Sequence, residues 1–550
     1  MTAMVNDPHH PPGHLKRSVG FYGLMFISLG SIIGSGWLLG ALNAAEVAGP
    51  ASIISWILAA AILTVIALVY AELGAVYPVA GGTGRFPYFS HGPLAGFVAG
   101  WSSWLQAVAI APIEILAAIT YVNSINGVHD HFPMLYASGP SKGLLDGRGL
   151  FVATILMVLF TAMNLAGAKF LSESNSIVVI WKTAVPLLAI VVVASLSFHP
   201  GNFSAGGGFM PFGFHGVFAA LPAGVVFALQ GFEQAVQLAG EARNPRRDLS
   251  RAIITAMAIG AVLYTLLQVV FITGVAPSHI SKDWSNPLGG GPSDYGAWYT
   301  LALAVGAGWL ATVLIIDAVI SPAGTGIVYV GTSSRLSYAL GEEREMPSIL
   351  SRVNQRGVPI WSVLLAAVVG EACFGPFPSW NKLVGVVTGA TAIMYAFAPV
   401  SLAALHRRDG GRARPYRMPA PKILLPGAFA AANLILYWGG YDFTWKLACA
   451  LVVGLVIFAV GSSRAGTDSF GMLRSALWIG PWILGSVIIG ALGQYGVGAR
   501  SVLPNWIDLL VVIVFSLAIF YWAVSLAMPE DKVAAAVAKD AEQIDYVGVA

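Results

Sequence analysis

The chain has 550 residues, of which 57% are hydrophobic and only 10% charged, with a formal net charge of +3. A soluble domain carries about 25% charged residues, so this composition excludes an ordinary water-soluble enzyme. The near-neutral balance gives no basic surface for nucleic acid, and no nucleic-acid partner is expected.

In chain order, residues 1–18 are polar and rich in His and Pro, with no apolar core of a signal peptide; they are expected to form a cytoplasmic tail. Fourteen apolar segments follow, at about 19–47, 50–77, 94–126, 149–167, 174–198, 214–240, 251–275, 296–322, 358–377, 380–405, 422–440, 443–462, 474–494 and 504–527. Each is long enough to cross a bilayer as a helix. No short alternating segments of a transmembrane β-barrel occur. The fold class expected is an all-α polytopic membrane protein with about 14 transmembrane helices. With the N-terminus inside, 22 of the 29 Lys and Arg fall in inner loops and tails and six in outer loops. That asymmetry supports the order of spans and places both termini, including 528–550, in the cytoplasm.

The first span contains Gly30-Ser31-Ile32-Ile33-Gly34-Ser35-Gly36-Trp37. Three glycines and two serines in seven residues disfavour a continuous helix. A break at mid-membrane is tolerated only where it lines a protein cavity, and a substrate can satisfy the freed backbone groups. Close helix packing through Gly30 and Gly34 is the alternative. The sixth span has a second polar interruption, Phe227-Ala228-Leu229-Gln230-Gly231-Phe232-Glu233. Breaks five spans apart point to inverted repeats, 19–198 against 214–405, with a site between them. Spans in 422–527 lie outside the repeat, as scaffold or homodimer surface.

Four ionisable residues within spans stand out as candidates for chemistry: Glu114, Lys182, Glu233 and Asp317. Each is costly in lipid and should face a cavity or a partner. Lys182 is too far from either end of its span to snorkel easily, and burial disfavours its ammonium form, so it can load and release a proton. A fixed ion pair is the alternative. Glu114, near Pro112, could meet a substrate amino group or pair with Lys182. Glu233 could answer to pH or form a structural hydrogen bond. Asp317, with the Ser321-Pro322-Ala323-Gly324-Thr325-Gly326 stretch, could form an amine or ion site or mark a helix break. Glu72 and Glu241 look like gate or capping residues.

Cys373 and Cys449 sit in apolar segments and suggest no disulfide framework. No Walker A lysine motif, HExxH or Cys/His cluster occurs, so neither ATP-driven transport nor a metal is expected, and no cofactor is required. Gly139-Pro140-Ser141-Lys142-Gly143 fits a hydrolase pattern by chance, since no strand precedes it. An intramembrane enzyme has no supporting motif.

Gly34-Ser35-Gly36, Gly231-Phe232-Glu233, Gly240-Glu241-Ala242-Arg243-Asn244-Pro245-Arg246-Arg247 and Thr332-Ser333-Ser334-Arg335 together resemble the amino acid–polyamine–organocation superfamily of permeases. The resemblance covers most of the chain. It implies the LeuT-like fold of two inverted five-helix repeats with broken helices 1 and 6. Stretches such as Val69-Tyr70-Ala71-Glu72-Leu73-Gly74 and Pro376-Phe377-Pro378-Ser379-Trp380-Asn381 are most similar to bacterial symporters that couple an acidic amino acid to a proton. Those symporters carry a histidine where this chain has Glu233; an ionised carboxylate there would repel an acidic substrate. The resemblance implies that the amides of Ser35 and Gly36, with Ser31 and Gly34 nearby, hold a substrate carboxylate. It implies that carbonyls of Ile32, Phe227 and Gln230, beside Gly231, hold the amino group. Lys182 would stand where related transporters bind sodium, with Glu114, Glu233, Asp317 and Ser321 as further proton-coupling candidates. The expected function is secondary active amino acid transport in the inner membrane, by proton symport or, alternatively, by exchange.

Overall fold

The computed structural model describes residues 19–544 except 137–140, 167, 355–356, 466–471 and 505. The first eighteen residues and Gly139-Pro140 of the chance hydrolase pattern therefore lie outside the described residues. Among those described, the chain is helical, with two isolated bridges and no strand.

The first half comprises α1 (Phe21–Ile32), α2 (Gly36–Ala48), α3 (Ser52–Val76), α4 (Gly82–His91), α5 (Pro93–Val122), a short α6 (Asn126–His131), α7 (Gly147–Ala166) and α8 (Ala168–Leu196). The next part comprises α9 (Gly213–Ala220), α10 (Val226–Leu229), α11 (Glu233–Gln237), α12 (Pro245–Gly274), α13 (Ala297–Ala304), α14 (Gly308–Glu342), α15 (Ile360–Cys373) and α16 (Trp380–Arg408). The chain ends with α17 (Pro421–Gly439), α18 (Tyr441–Ala465), α19 (Leu473–Ala476), α20 (Ile479–Leu492), α21 (Ile507–Ser525), α22 (Glu530–Ala538) and α23 (Ala541–Ile544).

Among the described residues, eleven helices are long and apolar enough to span a bilayer, one count joining α2 and α3 through Val76. Phe21–Ile32, Gly213–Leu229 and Ile360–Cys373 are shorter apolar helices. Two of these three end at the interruptions expected in the first and sixth segments: α1 stops at Ile32 and α10 at Leu229. One expected span is corrected. Residues 296–322 do not form one helix, because Val305–Ala307 separate α13 from α14 and Gly306 takes φ 76°. By contrast, Pro322 does not stop α14, which runs on to Glu342.

Burial separates core from rim. The apolar stretches of α5 and α16 are 83% and 94% buried, whereas those of α7 and α18 are 28% buried. The outer helices expose large aliphatic side chains, among them Ile177, Ile180 and Val191 on α8, and Val452 and Val456 on α18. So much exposed apolar surface is stable against lipid and not against water. α5 lies along α14 and α16, and α12 along α1 and α3. The two broken helices are thereby enclosed by the most buried part of the molecule.

Candidate functional site

The two breaks touch each other backbone to backbone. A Cβ on Gly36 would lie 2.6 Å from the Ala228 methyl and 2.7 Å from its Cα. Gly231 takes φ 118° and faces Ser31 so closely that a Cβ would lie 2.8 Å from the Ser31 carbonyl carbon. Contact distance requires glycine at both positions, and backbone angle requires it also at Gly231. Ser28 Oγ adds a cross-link by donating to Phe232 O at 3.1 Å.

Freed backbone groups at the breaks are met by side chains from distant helices. The last carbonyls of α1 carry the negative end of its dipole. Lys182 Nζ on α8 donates to Gly30 O at 2.8 Å and also to the Thr325 hydroxyl. Tyr264 OH on α12 donates to Ile32 O at 2.8 Å. At the second break, Gly231 N donates to Glu233 Oε2 at 3.0 Å. The same oxygen accepts from Tyr395 OH at 2.7 Å, while Gln106 Nε2 reaches Oε1 at 3.5 Å.

Between the breaks lies a small cavity of about 10 Å³, room for about one water molecule. Ser31, Ile32, Gly34, Gly36, Phe227 and Gln230 line it from the breaks, and Ile110, Glu114, Thr325 and Tyr329 close it from α5 and α14. At the start of α2, Ser35 N donates to Glu114 Oε2 at 2.9 Å and Ser35 Oγ to Oε1 at 3.1 Å. Trp380 Nε1 donates to Ser35 Oγ at 2.9 Å. Gln230 is only 3% exposed, and neither its Oε1 nor its Nε2 has a partner among the described residues. An unsatisfied buried polar group costs about 1–3 kcal/mol, which a bound polar ligand would relieve.

The structure brings together Ser31, Ile32, Gly34, Ser35, Gly36, Phe227, Gln230, Gly231, Glu114 and Lys182 around the breaks. Glu114 bonds to Ser35, and Lys182 to α1 and Thr325, so neither expected direct partner is the other's hydrogen-bond partner. Two other candidates sit behind the cavity wall. Glu233 clasps the second break, and Asp317 accepts from Ser321 Oγ at 2.5 Å and from Trp37 Nε1 at 3.2 Å. Tyr264, Tyr329, Tyr395 and Gln106 escaped the sequence reading, and Trp380 entered it only within Pro376-Phe377-Pro378-Ser379-Trp380-Asn381, with no site role. Their only sequence signal is a polar edge on an apolar helix, which many residues share.

Away from the cavity, Glu72 accepts from His406 Nε2 at 2.6 Å, Arg414 Nη1 at 3.1 Å and Met418 N at 2.9 Å. These contacts tie α3 to α16 and the loop after it, as fits either role expected of Glu72, gate or cap. Glu241 contributes its carbonyl, which accepts from Val19 N at 3.1 Å. Cys373 and Cys449 are both free.

The sequence profile of the amino acid permease family matches residues 19–460. The chain belongs to this family. Similarity extends beyond the matched region. The permease is 33% identical over 538 residues to the glutamate/serine transporter AimA of Bacillus subtilis, covering 96% of this chain and 97% of the relative. It is 35% identical over 523 residues to the aspartate-proton symporter of the same organism, covering 94% and 98%. The branched-chain amino acid permease BcaP of Bacillus subtilis is 27% identical over 455 residues, covering 82% and 94%. Within the amino acid–polyamine–organocation superfamily, the permease is thus a multi-pass membrane transporter of the amino acid class.

Proposed function

We propose that the permease is a secondary active transporter that couples inward movement of an amino acid, aspartate or glutamate in the first instance, to a proton. The observation that carries the reading is Lys182: a buried amine donates to the last turn of the broken α1 and to Thr325 of α14, instead of forming an ion pair there. Loss of its proton removes the charge that holds α1 to α14, so the two access states differ in proton affinity. Glu114, Glu233, Asp317 and Ser321 are proposed as further members of the coupling network. The names of two relatives, a glutamate/serine transporter and an aspartate-proton symporter, each include an acidic amino acid.

In this reading 19–198 and 214–405 are inverted five-helix repeats of a LeuT-like fold, with 422–527 as accessory helices and about 14 crossings in all. Both termini face the cytoplasm across the inner membrane. Substrate binds between the two breaks, α5 and α14, with the amides at the start of α2 facing its carboxylate and the end of α10 facing its amino group. A neutral hydroxyl amino acid such as serine is the second reading, favoured by the lack of any Lys or Arg among the residues lining the cavity.

The deciding experiment is aspartate uptake into proteoliposomes with and without an inward proton gradient, competed by a panel of unlabelled amino acids. Gradient-driven accumulation competed by aspartate and glutamate is expected. Uptake only against preloaded amino acid would indicate an exchanger. Transport of serine without aspartate would replace the substrate and leave the coupling question intact.

A further inference from the structure

A carboxylate already occupies the start of α2. Glu114 presents both oxygens to Ser35, Oε2 to the amide at 2.9 Å and Oε1 to the hydroxyl at 3.1 Å. The bare Cα of Gly34 makes the room: a Cβ there would meet Oε1 at 2.7 Å and the carboxyl carbon at 3.3 Å. Trp380 Nε1 donates to Ser35 Oγ, which leaves the hydroxyl hydrogen free to point at Glu114. The positive end of the α2 dipole completes a seat for one carboxylate. In the same cavity the buried carboxamide of Gln230 has no hydrogen-bond partner among the described residues.

We propose that Glu114 is an internal stand-in for the α-carboxylate of the substrate, held at Ser35 until an incoming amino acid displaces it. The proposal rests on the amino acid substrate assigned above. Two ionised carboxylates cannot share one amide and one hydroxyl without strong repulsion, so substrate binding and the Glu114–Ser35 contact exclude each other. The titratable groups that face Glu114 are Lys182 on α8, Tyr264 on α12 and Tyr329 on α14. Glu233 and Asp317 stand one layer further out. Of these Lys182 is the cation, and it is bonded to Thr325, whose hydroxyl lies 3.2 Å from the same point above Gly34. The released carboxylate therefore has a counter-charge across a single side chain. Glu114 in this role sets a threshold: ligands without a carboxylate leave it in place and leave the site closed.

The test uses the full chain in detergent, with formate as the probe of the seat. Glu114→Ala should gain a saturable rise in Tm with sodium formate over sodium chloride, while the wild type shows none. Glu114→Gln keeps the volume but loses the charge, and should bind aspartate or serine at least about tenfold more tightly. Formate acting on neither protein, or on both alike, overturns the proposal. So does weaker amino acid binding by Glu114→Gln, which would make Glu114 a ligand of the substrate ammonium. Formate stabilisation of Glu114→Ala without any amino acid binding would uphold the carboxylate seat and overturn the amino acid substrate instead.

Discussion

Lys182 ends α1 as much as any backbone feature does. Its ammonium takes the Gly30 carbonyl, and Tyr264 takes that of Ile32. Replacing Lys182 by alanine removes both the titratable amine and one cap. Proton-driven accumulation in proteoliposomes should fall to background, while exchange against preloaded amino acid keeps the larger part of its rate. Equal loss of both at normal expression would assign Lys182 a structural role alone. Lys182 was legible from sequence because an ammonium in a long apolar run is expensive and rare. Its partners were not: a threonine hydroxyl 143 positions away and a backbone carbonyl 152 away carry no mark of the contact. Glu114 shows the same limit. Its burial followed from the sequence, but its attachment to Ser35 depends on how α5 lies against the first break.

At the scale of elements, the breaks were legible and their mutual fit was not. Glycine and serine density announced the first interruption, and Gly231 between the polar Gln230 and Glu233 announced the second. Only the packed structure shows that Gly36 meets Ala228 and Gly231 meets Ser31 without an intervening side chain. Gly36→Ala should therefore force α2 and α10 apart, at a cost on the order of 1–3 kcal/mol. Initial uptake should drop at least about tenfold, and adding Ala228→Gly should restore part of it, because the second change removes the methyl and leaves the Ala228 Cα still 2.7 Å away. No recovery in the double variant would place the defect elsewhere. The α13–α14 break escaped the sequence reading because a single glycine in an apolar run is also compatible with a helix.

α4 offers a second test at this scale. His91 is buried between helices, with Nδ1 2.8 Å from Ser90 Oγ and Nε2 3.0 Å from Ala523 O at the end of α21. Burial pushes its imidazole down to about 4, against the usual 6.5, and the carbonyl of Ala523 opposes this only in part. The unfolded chain binds the proton more readily between those values. The contribution is therefore complete above about pH 6.5 and is lost as pH falls towards 4, reaching on the order of 3 kcal/mol. Thermal unfolding in detergent should show Tm falling across that window, with a shallower fall in His91→Gln. Parallel profiles for the two proteins would exclude His91 as the source.

Across the whole molecule, the end that carries Val19 and Ile544 is tied together by charge. Arg85 on α4 bonds to Glu343 just beyond α14 and to Asp540 between α22 and α23, while Met528 N donates to Ser90 O at 2.9 Å. Arg85 thereby ties α4 to the end of α14, and this tie is predicted to oppose opening of the cavity towards this end. Arg85→Ala removes a partly exposed tie worth about 1 kcal/mol, roughly a fivefold shift in the equilibrium between closed and open. A Ser31→Cys probe, in a background with Cys373 and Cys449 replaced by serine, should then react several-fold faster with an impermeant thiol reagent from that side. An unchanged rate would mean that the tie does not limit opening. Burial raises the Glu343 carboxyl above its usual range despite the Arg85 charge, so acidification on this side should quicken the same reaction.

The bare contact between Gly36 and Ala228 also bears on mechanics. Side chains at an interface act as bearings, because they can change rotamer and let two surfaces glide. Backbone pressed on backbone has no such bearing. α2 and α10 must then travel as one piece, like two leaves riveted at the spine. Whatever lies between them is carried with its enclosure intact, and the doors that open and shut belong to the surrounding helices.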